Sequence, residues 1–203
     1  RDFIPYAWIK MEPPKPRLFL KDNTKEISAA KVNPLDTPEK IVIGLVVGAG
    51  GRWPLKTLPT DLQIKLIKKI KKELKDKIEI LLITGPSDLE LNATKNIKKS
   101  LPFVKTHETA DLNTLFGIIS LCDIIITPDT LSMHIAISLN KYVIAYFTVT
   151  SAPEIELYNG EKIITKDREL YCSYSTANPP RPSATDKIDL DKIVFVVKKA
   201  VLR

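Results

Sequence analysis

Cysteine, methionine, tryptophan and histidine are scarce in this sequence of 203 residues, with two of each. The cysteines, Cys122 and Cys172, match no spacing of a zinc site or a redox motif, so neither kind of site nor a disulfide scaffold is indicated. Such sparing use of cysteine fits a reducing cytosol. No apolar run approaches the length of about 20 residues that spans a bilayer, and residues 1–10 lack the apolar core of a signal peptide. We therefore expect a cytoplasmic protein.

The charge balance is basic, because 31 Lys and Arg residues face 24 Asp and Glu residues and give a net charge of +7. Such an excess suits a phosphate-rich ligand, an anionic membrane surface or nucleic acid. Much of it lies between Lys65 and Lys77, where apolar residues recur at helical spacing and leave the lysines on the opposite side. Charge runs of this kind are usually solvated helix faces, and we interpret this one in that way.

Short apolar segments alternate with helical patterns along most of the chain. Four segments are continuous and rich in β-branched or aromatic residues, as strands buried on both faces are: 40–47, 78–84, 123–128 and 142–147. Two shorter candidate strands are 102–107 and 162–165. Helical patterns cover 61–75, 88–100, 111–120, 130–139 and a last segment from about residue 189. This alternation predicts an α/β fold with a doubly wound, mostly parallel, Rossmann-like sheet.

The segment after the first strand, GAGGRWPLKTLP at residues 48–59, is a candidate anion site. Its glycines let the backbone approach a ligand and offer N–H groups to it, although a glycine-lined turn with Trp53 in the core would look the same. The segment is not a dinucleotide fingerprint, because Trp53 occupies the position of the third glycine. It also lacks the Gly-Lys-Ser/Thr ending of a P-loop, although Arg52 and Lys56 supply positive charge. A phosphate site of another design stays open.

A second polar segment, TPDTLSMHIA at residues 127–136, follows a predicted strand and precedes a helical pattern. On one interpretation Asp129 is simply the N-cap of that helix, with Thr130 and Ser132 in its first turn. On the other, the helix N-terminus is an anion site, because its free N–H groups and dipole favour negative charge. The hydroxyls of Thr130 and Ser132 and the imidazole of His134 would add to such a site.

Together these segments resemble a known family. GAGGRWPLKTLP and ITPDTLSMHIA, with LLITGPSDLE between them and VIAYFTVTSAPE after them, are similar to the C-terminal half of the ADP-heptose:lipopolysaccharide heptosyltransferases, glycosyltransferase family 9. The resemblance covers about residues 17–154. It implies the GT-B architecture, in which two Rossmann-like domains face each other across a cleft, and it implies that this chain is the half that binds the nucleotide sugar.

The resemblance also implies roles for single residues. Lys56 would neutralise a phosphate of the donor diphosphate and Asp129 would contact the sugar, so these two are the expected catalytic residues. Either Asp88 or Glu90 would hold the ribose. Leu131 stands where the family usually has glycine, and its side chain would narrow the approach to the site. The expected donor-binding residues are Gly48, Gly50, Gly51, Lys56, Asp88, Glu90, Asp129, Thr130, Ser132 and His134.

Charge stabilisation is the main chemical demand on such a site. Negative charge grows on the leaving diphosphate as a sugar is transferred, so fixed cations and N–H donors lower the barrier. A metal ion could do the same. However, no Asp-x-Asp pair lies where a metal-dependent transferase would need paired carboxylates. We therefore expect no metal and no other cofactor.

The residues before the first strand predict that the chain is part of a longer protein. Residues 1–39 are rich in proline and charge, begin with Arg1 and are too few for a second Rossmann-like domain. We interpret 1–39 as a linker and remnant of a missing N-terminal domain, and 40–203 as the donor-binding domain. The resemblance implies that the acceptor glycolipid and the general base belong to that missing half. The isolated chain should then bind an ADP-heptose-like donor weakly and transfer no sugar.

Other functions stay open on the sequence alone. Another nucleotide-sugar enzyme of GT-B architecture, either an epimerase or a different transferase, would use a similar site. A basic α/β module that binds nucleic acid or a partner protein would need only the charge. The favoured interpretation includes no nucleic acid partner, and peripheral contact with the inner membrane is compatible with it.

Overall fold

The computed structural model describes residues 14–21, 24, 39–50, 54–108, 111–165 and 187–202. Within these residues six strands form one sheet: β1 Ile41–Val46, β2 Ile78–Thr84, β3 Lys105–Glu108, β4 Ile124–Pro128, β5 Tyr142–Phe147 and β6 Gly160–Ile164. The α-helices that follow the strands are α1 Thr60–Leu74, α2 Asp88–Ser100, α3 Leu112–Leu121, α4 Leu131–Ser138 and α5 Leu190–Val201.

The strand order is β3-β2-β1-β4-β5-β6, and all neighbouring strands are parallel. The chain therefore moves outward from β1 through β2 and β3, returns to the centre at β4, and moves outward again on the other side. The loops that follow β1 and β4 diverge at this reversal, which is where ligands bind in open α/β sheets.

Two hydrophobic layers hold the helices onto the sheet. On one face, Ile43 and Leu45 of β1 pack with apolar side chains of α1, α2 and α5. On the other face, Val42 and Val46 of the same strand pack with α3 and α4. Successive residues of a strand point to opposite faces, so a central strand covered on both sides is apolar along its length. The doubly wound, Rossmann-like α/β fold expected from the sequence is confirmed.

The two short edge strands differ from the sequence prediction. For β3 the pattern predicted residues 102–107, but the strand covers Lys105–Glu108. For β6 it predicted residues 162–165, but the strand begins at Gly160. A Cβ atom at Gly160 would lie 1.9 Å from the carbonyl oxygen of Val143 on β5, so this pairing requires glycine. Because glycine is usually read as a turn residue, the sequence pattern hides the start of this strand.

Residues 14–21, which belong to the predicted linker, lie against the C-terminal end of α4. The N–H of Leu18 donates to the carbonyl oxygen of Ser138 at 3.0 Å, and the Tyr158 hydroxyl donates to that of Pro14 at 3.3 Å. Most of residues 1–39 lie outside the described part of the chain, so the division at residue 40 stays a prediction. Among the described helices, none is long and apolar enough to cross a membrane.

Candidate functional site

Lys56 and Asp129 form an ion pair between the loops that follow the two central strands. Lys56 ends a short 3-10 turn, Pro54–Lys56, and Asp129 comes directly after β4. The Lys56 ammonium lies 3.2 Å from Oδ2 of Asp129 and donates to the Asp129 carbonyl oxygen at 3.1 Å. Their side chains are 18% and 17% exposed, so the pair is sheltered yet open to a ligand. The structure thus brings together the two residues expected to be catalytic, at the reversal of strand order.

Glu90 lies between two glycine-containing loops, with its carboxylate fixed in place. It forms a capping box with Ser87, in which the Ser87 hydroxyl and backbone N–H both donate to Oε2 and the Glu90 N–H donates back to the hydroxyl. The N–H of Gly50 donates to Oε1 at 3.4 Å. A Cβ atom at Gly48 would lie 2.2 Å from Oε1, and one at Gly85 would lie 2.6 Å from Oε2. The carboxylate therefore occupies space that two glycines leave free.

The structure separates the two acidic candidates for ribose binding. Glu90 is buried and lines a cleft at the carboxyl edge of the sheet, which is described below. Asp88 is exposed on the first turn of α2 and does not line this cleft. The capping box explains the difference, because it turns the third residue of the helix back toward the loops while the first residue points outward.

A cleft of about 420 Å³ opens beside Glu90, at the carboxyl edge of the sheet. Glycine loops and the N-terminus of α4 form its polar walls, and the side chains of Leu112 and Leu115 on α3 form an apolar wall. A second cleft, of about 320 Å³, shares Glu90 with the first and is lined on its far side by the loop that carries Lys56. Volumes of this size and linings of this mixed kind are typical of small-molecule sites.

The N-terminus of α4 faces the first cleft through Leu131 and Ser132. The N-cap of this helix is Thr130 and not Asp129, so the interpretation of Asp129 as the cap is wrong. The physical reason is that the Asp129 carboxylate is paired with Lys56, while Thr130 has the extended backbone of a cap residue. The Thr130 hydroxyl makes no capping bond and instead lies 3.1 Å from that of Thr127.

Not all predicted site residues line the clefts: Lys56 and Asp129 line neither, although the residues next to them in sequence do. Gly48 and Gly50 line both clefts. His134 is exposed on α4, one turn beyond Leu131, and lines neither cleft. Gly51 lies outside the described residues, so its predicted role stays untested. In the part of the chain that the structure describes, no group of three or more His, Cys, Asp or Glu side chains could hold a metal ion.

Three buried polar residues beneath the Lys56 loop were not found by the sequence reasoning. They are Gln63 on α1, Tyr146 on β5 and Thr148 just after β5, each 1% exposed. One signal was available for Gln63, because it falls on the apolar stripe that Leu66, Ile67 and Ile70 form on α1. A polar residue on such a stripe indicates a buried hydrogen bond.

Comparisons with known proteins bear on the fold and the family of this chain. The profile of glycosyltransferase family 9 (heptosyltransferase) matches residues 8–180. Among solved structures, the chain is similar to E. coli ADP-heptose lps heptosyltransferase II, with a TM-score of 0.67 and 19% identity over 94% of this chain and 56% of that one. It is also similar to a family 9 glycosyl transferase from Veillonella parvula DSM 2008, with a TM-score of 0.68 and 14% identity over 94% and 55% of the two chains.

A third similar structure is E. coli heptosyltransferase WaaC with ADP-2-deoxy-2-fluoro heptose, with a TM-score of 0.57 and 14% identity over 86% of this chain and 47% of that one. The chain thus spans about half the length of these solved structures. No curated protein sequence matches it. Because the family profile extends over most of the sequence, the chain belongs to glycosyltransferase family 9.

Proposed function

We propose that this chain is the donor-binding half of a glycosyltransferase that transfers heptose from an ADP-activated donor to a lipopolysaccharide-type acceptor. The observation that carries the proposal is the Lys56–Asp129 pair at the reversal of strand order, beside a cleft that contains the fixed carboxylate of Glu90. Membership of family 9 supports the reaction class. The structure of WaaC with ADP-2-deoxy-2-fluoro heptose supports the choice of donor.

Lys56 and the N-terminus of α4 would bind the diphosphate. A phosphate oxygen can replace Asp129 as the partner of the Lys56 ammonium, since the pair is partly exposed and its two charges are 3.2 Å apart. The first-turn N–H groups of α4 and the hydroxyls of Thr130 and Ser132 would receive further oxygens. Asp129, released from Lys56, would then accept a hydrogen bond from a hydroxyl of the sugar.

Glu90 and the apolar wall of the first cleft would bind the nucleoside. Oε2 accepts two hydrogen bonds from Ser87 and Oε1 accepts one from Gly50, so Oε1 has a lone pair left to accept from one ribose hydroxyl. Leu112 and Leu115 provide an apolar surface for the base. Because the carboxylate is fixed before the ligand arrives, little conformational entropy is lost on binding.

In the transfer step, the acceptor oxygen forms a bond to the anomeric carbon while the bond from that carbon to the diphosphate breaks. The electron pair goes to the terminal phosphate oxygen, where Lys56 and the helix N-terminus stabilise the charge. The acceptor proton goes to a general base that we place outside this chain. Leu89, Leu112 and Leu131 support a missing second half, because they are 69%, 54% and 56% exposed around the clefts.

Calorimetric titration of the chain with ADP, an ADP-sugar, a UDP-sugar and a short oligonucleotide tests the proposal. We expect saturable binding of ADP and the ADP-sugar, weaker binding of the UDP-sugar, and only salt-sensitive binding of the oligonucleotide. Oligonucleotide binding that is tighter than ADP binding and unaffected by Lys56→Ala would reject the proposal in favour of a nucleic-acid-binding module.

A further inference from the structure

Buried side chains hold the loop that carries Lys56 by hydrogen bonds to two of its backbone carbonyl groups. The Thr148 hydroxyl donates to the carbonyl oxygen of Leu55 at 2.8 Å. The side-chain amide of Gln63 donates to the carbonyl oxygen of Leu58 at 2.7 Å and to that of Val47, at the end of β1, at 2.9 Å. These anchors bracket Lys56, one on the residue before it and one two residues after it.

Tyr146 adds a third contact and connects the loop to the strand beside Asp129. Its hydroxyl accepts from the N–H of Leu58 at 3.5 Å, which is a long hydrogen bond. Burial raises the pKa of Tyr146, so this hydroxyl stays protonated. Tyr146 is paired in register with Pro128, the residue before Asp129. The end of β5 thus contacts both the Lys56 loop and the strand that leads to Asp129.

Because these polar groups are buried, their hydrogen bonds hold the loop backbone in one position. Gln63, Tyr146 and Thr148 are each 1% exposed, and Tyr146 lies in the same apolar layer as Leu58. A polar group in such a place is destabilising unless it is hydrogen-bonded. If the loop backbone moved, these buried donors and acceptors would lose their hydrogen bonds. The position of the Lys56 backbone is therefore restricted.

We infer that Thr148, together with Gln63 and Tyr146, positions Lys56 for the donor diphosphate without touching the ligand. The inference rests on the proposed function. Thr148 is the sharpest case, because it bonds to the residue next to Lys56 and is 1% exposed, whereas the Lys56 side chain is 18% exposed. Its removal should weaken the binding of phosphates held by Lys56 and leave nucleoside binding, which depends on Glu90, unchanged.

The test compares ADP with adenosine in the Thr148→Val variant, which keeps the β-branched shape and removes the hydroxyl. We expect the ADP dissociation constant to rise about three- to tenfold, the range for one hydrogen bond, with adenosine binding unaltered. In a Lys56→Ala background, Thr148→Val should have no further effect. Tyr146→Phe should act in the same direction and serves as a second variant if Thr148→Val folds poorly.

Ser120→Ala is the matched control. The Ser120 hydroxyl is also buried and donates to the carbonyl oxygen of Gly117 at 2.6 Å. It lies near the end of α3, just before β4 begins, and so away from the carboxyl ends of the strands where Lys56 lies. This variant should change stability without changing the preference for ADP over adenosine. Equal losses of ADP and adenosine binding in Thr148→Val, or an undiminished effect of it when Lys56 is absent, would overturn the positioning role.

A readout without ligand separates this inference from the proposed function. When lysines are reductively dimethylated with ¹³C, the charge is kept and the Lys56 methyl signal, assigned with Lys56→Arg, reports its pairing with Asp129. Thr148→Val should move that signal in the direction that Asp129→Asn moves it, and Ser120→Ala should not. An unmoved signal overturns the positioning role. Absence of ADP binding in the unaltered chain overturns the proposed function and, with it, the role toward a diphosphate.

Discussion

Replacing Gly48 by alanine would place a methyl group in the space that Glu90 occupies. The new Cβ atom would lie 2.2 Å from Oε1, 2.3 Å from Cγ and 2.6 Å from Cδ of Glu90. Gly48 does not have a positive φ, so alanine meets no backbone strain there. The Glu90 side chain must therefore move, and the hydrogen bonds that its carboxylate accepts from Ser87 and Gly50 are lost.

The expected effect on stability is small and that on binding is large. Ser87 still caps the Glu90 N–H, so losing the carboxylate half of the capping box costs at most about 1 kcal/mol, while alanine in place of glycine restores about 0.4–1 kcal/mol by restricting the unfolded chain. The free energy of unfolding should therefore fall by less than about 1 kcal/mol. A hydrogen bond to a charged group is worth about 1.5–3 kcal/mol, so displacing Glu90 should weaken adenosine binding about 10- to 150-fold.

Urea denaturation and calorimetry with adenosine measure the two effects. Gly85→Ala should behave like Gly48→Ala, because its Cβ atom would lie 2.6 Å from Oε2 of Glu90. In a Glu90→Ala background, Gly48→Ala should have little further effect on binding, since the carboxylate that it displaces is gone. Unchanged adenosine affinity in Gly48→Ala, or the same loss with and without Glu90, would refute the reasoning.

Further substitutions and conditions test other parts of the site. Lys56→Ala should weaken ADP binding by about 1.5–3 kcal/mol while leaving adenosine binding and the fold intact; unchanged ADP affinity in calorimetry would remove Lys56 from the site. Leu131→Gly should preserve or improve ADP-sugar affinity, since Leu131 is 56% exposed; a large loss would show that the leucine is packed against the ligand. Burial raises the pKa of Cys122 from its ordinary value of 9.0 to about 12. Between these values the thiol is deprotonated only in the unfolded chain, so the contribution of Cys122 to the free energy of unfolding is present below pH 9 and is lost as the pH rises toward 12. Urea denaturation across this range should therefore show a steeper loss of stability in the Cys172→Ala chain than in one that also carries Cys122→Ala; parallel pH profiles would contradict that assignment.

The sequence predicts the centre of the fold better than its edges. β2 and β5 begin and end where the apolar runs do, because a strand buried on both faces leaves a continuous apolar segment. The edge strand β6 is only partly buried and starts at a glycine, so neither signal marks it. The pattern of apolar residues records burial, and burial is weakest at the sheet edges.

The candidate site was predictable in its chemistry and less so in its geometry. Lys56 and Asp129 follow the two central strands, and the rule for ligand sites in α/β sheets places both at one edge. The choice between Asp88 and Glu90 depended on where α2 begins; the Ser-x-x-Glu pattern from Ser87 to Glu90 could have decided it. The contact of Thr148 with the Lys56 loop joins residues far apart in sequence, and no local pattern indicates it.

A crystal structure of the chain with ADP tests the central claim most directly. We predict a phosphate oxygen within about 3 Å of the Lys56 ammonium, a ribose hydroxyl on Glu90, and the base against Leu112 and Leu115. Lys56 should then have exchanged its 3.2 Å contact with Asp129 for the diphosphate. ADP bound elsewhere, with the Lys56–Asp129 pair intact and Glu90 free of ribose, would contradict the assignment of this edge of the sheet as the donor site.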